Sequence, residues 1–113
     1  MAKILIVEDE ENQRFLYKQV LGTIHEVTIV DSAQEAWLHV LPNLDLLITD
    51  KDLGKGLNGV ELCELAHEVF PKIPMILVTG DTTVVHPSYI FVLFKPFTFA
   101  KLLHYIENMA TLR

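Results

Sequence analysis

The chain has 113 residues, half of them hydrophobic and 21% charged, with a net charge of −6. That length suits one domain spanning residues 1–113, and the composition excludes a disordered chain. The acidic balance argues against nucleic acid as a partner, because such a surface needs a basic face, and it suits basic partners and metal ions.

The first apolar run, ILIV at 4–7, ends on Glu8 and Asp9. A helical stripe of Phe15, Leu16, Val20 and Leu21 follows at spacings of three and four. After a second run, VTIV at 27–30, comes a stripe of Ala33, Ala36, Trp37, Val40 and Leu41, with Asp31 or Ser32 as its N-cap. The third run, LLIT at 46–49, ends on Asp50. The next helix carries Leu62, Cys63, Ala66, Val69 and Phe70, capped by Asn58 and stopped by Pro71. The run MILVT at 75–79 ends with Thr79 and is followed by Gly80; IFVLF at 90–94 is followed by Lys95 and Pro96. A last stripe takes Leu102, Leu103, Ile106, Met109 and Ala110.

Most of these runs are continuous rather than alternating, as in strands buried on both faces of a parallel sheet covered by helices. Alternating strands and helices predict an α/β fold with a mostly parallel sheet. The segment between Thr79 and Ile90, GDTTVVHPSY, is short, rich in β-branched residues and interrupted by Pro87. It predicts a turn or two of helix at most.

In an open parallel sheet, ligands bind at the carboxyl ends of the strands. Taken singly, the residues there are unremarkable: Glu8 and Asp9 suit a helix N-terminus, Asp50 a turn, and Lys95 a solvated surface. Taken together, Glu8, Asp9, Asp50, Thr79 and Lys95 stand at the same end of successive strands, and the sheet brings them into one place. Two carboxylates about 4 Å apart repel by about 4 kcal/mol at an effective dielectric of about 20, so they call for a cation. An all-oxygen donor set favours a hard ion such as Mg²⁺. Such an ion beside a lysine and a hydroxyl suits phosphate oxygens, and a carboxylate there can act as a nucleophile and form an acyl phosphate.

The remaining singular residues carry less. His25, His39, His67, His86 and His104 lack metal-ligand spacing. Cys63 reads as a small buried hydrophobe, and as the single cysteine it precludes an intramolecular disulfide and fits a reducing cytoplasm. Trp37 reads as packing, and Lys51 and Lys55 border the site, where they either steer phosphate or, the favoured reading, face solvent. No apolar run approaches the roughly 20 residues that cross a membrane, and the run before Glu8 is too short for a signal peptide.

The segments KILIVEDE, DLLITDKDL, NGVELC, MILVTGD and FKPF, in this order, resemble the receiver domain of two-component response regulators. The resemblance covers essentially the whole chain. It implies the flavodoxin-like (βα)5 fold, a doubly wound parallel five-stranded sheet. It also implies Asp50 as phospho-acceptor, with Mg²⁺ held by Glu8, Asp9, Asp50 and the backbone carbonyl of Asp52. Thr79 and Lys95 would engage the phosphoryl group, Lys95–Pro96 would be cis, and Gly80 would keep the approach open. Asp52 and Asp81 stand where the family tunes hydrolysis.

Three departures from the family pattern stand out. Gly54 replaces a proline, in a loop about one residue longer than usual. The segment from Thr79 to Lys95 is roughly six residues short, a large change for a connection of this size, so the fourth helix is expected to be missing or vestigial. Val92 occupies the place of the switch aromatic, with Tyr89, Phe91 and Phe94 out of register. Val84, Val85, Tyr89 and Phe91 are expected to fold back over the sheet left uncovered; otherwise they form an apolar patch for a partner or a second copy.

The expectation is a cytoplasmic, Mg²⁺-dependent receiver phosphorylated on Asp50 by a histidine kinase or histidine phosphotransfer protein, monomeric or dimeric through the 80–94 region. Its only catalysis would be transfer to, and hydrolysis at, its own aspartate. One rival is a scaffold module of the same fold that binds its partner irrespective of phosphorylation. Another is an Mg²⁺-dependent aspartyl-phosphate hydrolase, disfavoured for want of a cap domain. The chain as a fragment of a longer regulator or hybrid kinase is a third.

Overall fold

The five apolar runs form five strands, and each turns polar where its strand ends. The computed structural model describes residues 1–111, and the side chains of residues 1–109. In chain order the elements are β1 (Lys3–Val7), α1 (Glu11–Leu21), β2 (Glu26–Val30), α2 (Ala33–Trp37), β3 (Leu46–Asp50), α3 (Gly59–Val69), β4 (Met75–Thr79), β5 (Ile90–Phe94) and α4 (Phe99–Thr111). All strands pair in parallel in the order β2-β1-β3-β4-β5, the doubly wound sheet expected from the sequence.

Alternate residues of each strand serve opposite faces. Leu5, Val7, Leu47, Met75, Leu77 and Ile90 pack with Ala36, Leu62, Cys63 and Ala66 of α2 and α3. Ile4, Ile6, Leu46, Ile48, Ile76, Val78 and Leu93 pack with Tyr17, Leu21, Leu102 and Ile106 of α1 and α4. The central strands β3 and β4 are buried along their whole length, which explains their unbroken apolar sequence. Each such Leu or Ile contributes roughly 1.5–3 kcal/mol on burial.

The caps follow the side chains. Ser32, not Asp31, caps α2, its hydroxyl accepting the Glu35 N–H at 3.1 Å. Asn58 and Glu61 form a capping box at the start of α3, each side chain accepting the other's backbone N–H. The helix ends before Pro71, whose ring disfavours helical geometry in the preceding residue.

Two helices sit rotated from the expected stripes. In α1 the buried residues are Tyr17 and Leu21, while Phe15 is 59% exposed and Leu16 also faces out. Tyr17 follows the same spacing of four to Leu21 and meets Phe99 edge to face, which fixes the helix on that side. In α2 the small residues Ala33 and Ala36 let the helix approach the sheet and Trp37 stays outside; the helix ends at Trp37, short of the expected stripe, and beyond it Val40 is buried and Leu41 exposed. Val69 of α3 is likewise exposed. In α4, Leu102 and Ile106 are buried and Leu103 and Met109 pack beside them; the Ala110 side chain lies outside the described residues.

Between β4 and β5 the described residues contain no helix, so the fourth helix of the (βα)5 pattern is missing. Val84 packs against the core under α2 and α3, and Tyr89 lies on His67 of α3. Val85 does not fold back; it is 89% exposed. Phe91 points to the opposite face of β5, where its ring meets Tyr105 with centroids 4.6 Å apart. Strand parity decides this, because Ile90 and Val92 share one face and Phe91 and Leu93 the other.

Candidate functional site

β1, β3, β4 and β5 end side by side, and their last or next residues are Glu8 and Asp9, Asp50, Thr79 and Lys95. The register pairs Val7 with Thr49, Asp50 with Val78 and Thr79 with Phe94. Asp50 is 8% exposed, and both of its oxygens are held. Lys95 Nζ donates to Oδ2 at 2.8 Å, and the Asp52 N–H donates to Oδ1 at 3.3 Å. The Lys95 N–H donates to the Thr79 carbonyl at 2.9 Å, which ties the end of β5 to the end of β4. The Lys95–Pro96 bond is cis, as expected.

Glu8 is 3% exposed, and its carboxylate accepts the Glu10 N–H at 3.2 Å. Burial pushes its carboxyl up to about 7, against the pull of that hydrogen bond and with the charge of Asp50 adding to the rise. Asp9 is exposed at the mouth. Carboxylate oxygens of Glu8, Asp9 and Asp50 all lie within 4.8 Å of one another. Three carboxylates, one of them exposed, face one ammonium here, an excess of negative charge that a hard cation offsets. Lys95 itself is raised: burial works against its charge, and the hydrogen bond to Asp50 with the nearby carboxylates outweighs it.

Thr79 is 1% exposed, and its hydroxyl oxygen accepts the Asp81 N–H at 3.0 Å, which leaves its own hydrogen to donate elsewhere. The Asp52 side chain is exposed and outside the carboxylate cluster; its N–H, rather than its acid, meets Asp50. A side chain at Gly80 would meet nothing within 4 Å, so no packing in this structure requires glycine there.

Two glycines shape the loop after β3. Gly54, in place of the family's proline, has φ +73, a left-handed conformation that disfavours any side chain. Gly59 opens α3 so close to β3 that a Cβ would collide with the Asp50 carbonyl oxygen and the Leu77 side chain. The helix start is thereby set against the strand end that carries Asp50, and the Gly59 N–H donates to Lys51 O at 2.7 Å.

One relationship at the site departs from the sequence reading. Lys51 does not simply face solvent; its Nζ lies 2.8 Å from Asp81 Oδ2. The hydrogen bond with Asp81 raises Lys51, and the same contact together with Thr83 holds Asp81 well below the usual carboxylate range. Opposite charges just beyond the ends of neighbouring strands were the available signal. Lys55 does face solvent, and Cys63 is buried, with its thiol pushed up to about 12 by burial.

The response regulator receiver domain family model matches residues 4–107. The chain is 31% identical over 117 residues to the response regulator receiver protein CpdR of Brucella abortus (strain 2308), covering 96% of this chain and 97% of that one. It is similar to the CheY-like response regulator receiver domain protein of Methanospirillum hungatei JF-1, with a TM-score of 0.87, 27% identity, and coverage of 98% and 94%. A receiver protein from Sinorhizobium medicae WSM419, at 23% identity over 97% and 94% of the two chains, shares the fold with a TM-score of 0.85. The sheet and its helices are thus the flavodoxin-like receiver fold, and the chain belongs to the response regulator receiver family of two-component signalling. No helix among its described residues is long and apolar enough to cross a membrane.

Proposed function

We propose that the chain is a phospho-accepting receiver whose Asp50 takes a phosphoryl group from a phosphohistidine on a histidine kinase or histidine phosphotransfer protein. The observation that carries this reading is the buried Asp50 carboxylate, held by Lys95 and the Asp52 N–H, at the end of the strand that pairs with the one ending in Thr79. The donor set of Glu8, Asp9 and Asp50 fits Mg²⁺, with the Asp52 carbonyl as a further oxygen donor. When bound, that ion neutralises the carboxylates and draws a phosphate oxygen into the site.

The residues of this chain do the rest. A carboxylate oxygen of Asp50 attacks phosphorus; the new P–O bond forms as the P–N bond to the donor imidazole breaks, and the electron pair leaves with the imidazole nitrogen. Lys95 pairs with the charge that arrives, and the Thr79 hydroxyl donates its free hydrogen to a phosphoryl oxygen. Attack of water on phosphorus later restores the carboxylate and releases phosphate. The chemistry is confined to the chain's own side chain, so this is a signalling switch and not a metabolic enzyme. The reading sets it in the cytoplasm, with a protein as its downstream target. The net charge of −6 supports no role for nucleic acid.

Intact mass spectrometry after incubation with Mg²⁺ and acetyl phosphate tests the reading. The parent gains one phosphoryl group and Asp50→Asn gains none; an equal gain in both would remove Asp50 as the acceptor.

A further inference from the structure

Lys51 follows Asp50 directly, and its ammonium is held by Asp81 at 2.8 Å. The same Asp81 offers its N–H to the Thr79 hydroxyl at 3.0 Å. Its other oxygen, Oδ1, accepts both the N–H and the hydroxyl of Thr83, at 2.9 and 2.7 Å. Asp81 therefore joins three things: the residue after the acceptor, the Thr79 hydroxyl at the end of β4, and the first turn of the segment that replaces the missing helix. That segment continues through Val84, whose N–H donates to the Asp81 carbonyl at 3.3 Å, to Tyr89 on His67.

We propose, building on the function above, that Lys51 is a second phosphoryl-binding cation, held in reserve by Asp81, and that its transfer to the phosphoryl group carries the phosphorylation state of Asp50 into residues 81–89. At rest the ion pair that Lys51 makes among the described residues is with Asp81, a single charge. An acyl phosphate on the preceding residue presents up to two negative charges and three acceptor oxygens. Lys51 moves to the richer anion, and Asp81 loses its cation. The Thr83 turn loses the network that orders its acceptor, and the segment loosens. The route uses residues present in this chain.

Amide exchange at Thr83, followed by NMR on the full chain with Mg²⁺, with and without acetyl phosphate kept in excess, tests the inference. Intact mass is read on the same samples, and exchange is compared at equal phosphorylated fraction. In the parent, phosphorylation raises Thr83 exchange by about two- to fivefold, the range that loss of one exposed ion pair gives. Lys51→Met shows the faster exchange already without donor, with no further rise on phosphorylation, and Lys51→Arg restores the response. A parent that gains the phosphoryl group with Thr83 exchange unchanged overturns the inference and leaves the function standing, as does a Lys51→Met chain that responds like the parent. A parent that gains no phosphoryl group from any donor overturns both.

Discussion

Tyr89 lies flat on His67, with ring centroids 3.6 Å apart and planes 9° from parallel. The contact joins the segment before β5 to the outer side of α3. It stands where a fourth helix would otherwise cover the sheet, so one aromatic pair and Val84 do part of the work of a helix.

Tyr89→Ala removes that contact. Aromatic pairs of this kind contribute about 0.5–1.5 kcal/mol beyond their buried area, so the midpoint of thermal unfolding should fall by roughly 2–9 °C for a chain of this size. Tyr89→Phe should retain most of the stability, since the stack and not the hydroxyl makes the contact. An unchanged midpoint for Tyr89→Ala would show that the segment is held by Val84 and its backbone alone.

Gly59→Ala tests the close approach of α3 to β3. The added methyl has to displace the Asp50 carbonyl or the Leu77 side chain, and overpacking of this kind costs about 1–3 kcal/mol. Because the displaced strand end carries Asp50, the variant should also accept phosphoryl more slowly. Urea unfolding reads the first effect and the rate of mass gain with acetyl phosphate reads the second. Wild-type values for both would mean that the approach is not constraining.

The acidic cluster makes stability depend on pH and metal together. The Glu8 carboxyl is raised from 4.5 to about 7 in the folded chain, so folding retains a proton that the unfolded chain has released. The contribution is fully present below about pH 4.5 and is lost as pH rises through about 7. Without metal, the loss across this range is on the order of 3 kcal/mol. His25 works in the opposite direction, since burial disfavours its charged form. The difference between the parent and Glu8→Gln therefore isolates the effect. Urea unfolding at pH 5 and pH 7.5 should show the parent losing more stability than Glu8→Gln, and Mg²⁺ should restore the parent chiefly at the higher pH. Equal pH dependence in the two chains would contradict the assignment.

Much of the site was legible because continuous apolar runs mark strands buried on both faces, and a parallel sheet aligns their ends. Glu8, Asp9, Asp50, Thr79 and Lys95 could thus be placed together from the runs that precede them. The destinations of single side chains were less legible. Phe15 and Tyr17 offer rival stripes on α1, and a contact with Phe99, far along the chain, selects between them. Lys51 was read as facing solvent in preference to steering phosphate, whereas its neighbour is Asp81, thirty residues on and visible only once β3 and β4 are paired. Val85 and Phe91 were grouped with Val84 and Tyr89 by composition, and the geometry of the turn and the pleat of β5 separated them.

The most direct test is chemical mapping of the phosphoryl group. Borohydride reduces an acyl phosphate to the primary alcohol and releases phosphate, converting a phosphorylated aspartate to homoserine. After incubation with Mg²⁺ and acetyl phosphate, reduction and digestion, peptide sequencing by mass spectrometry should find homoserine at position 50 alone, and none in a sample without donor. Homoserine at Asp9 or Asp52 with Asp50 intact, or at no position under any phosphodonor, would contradict the account.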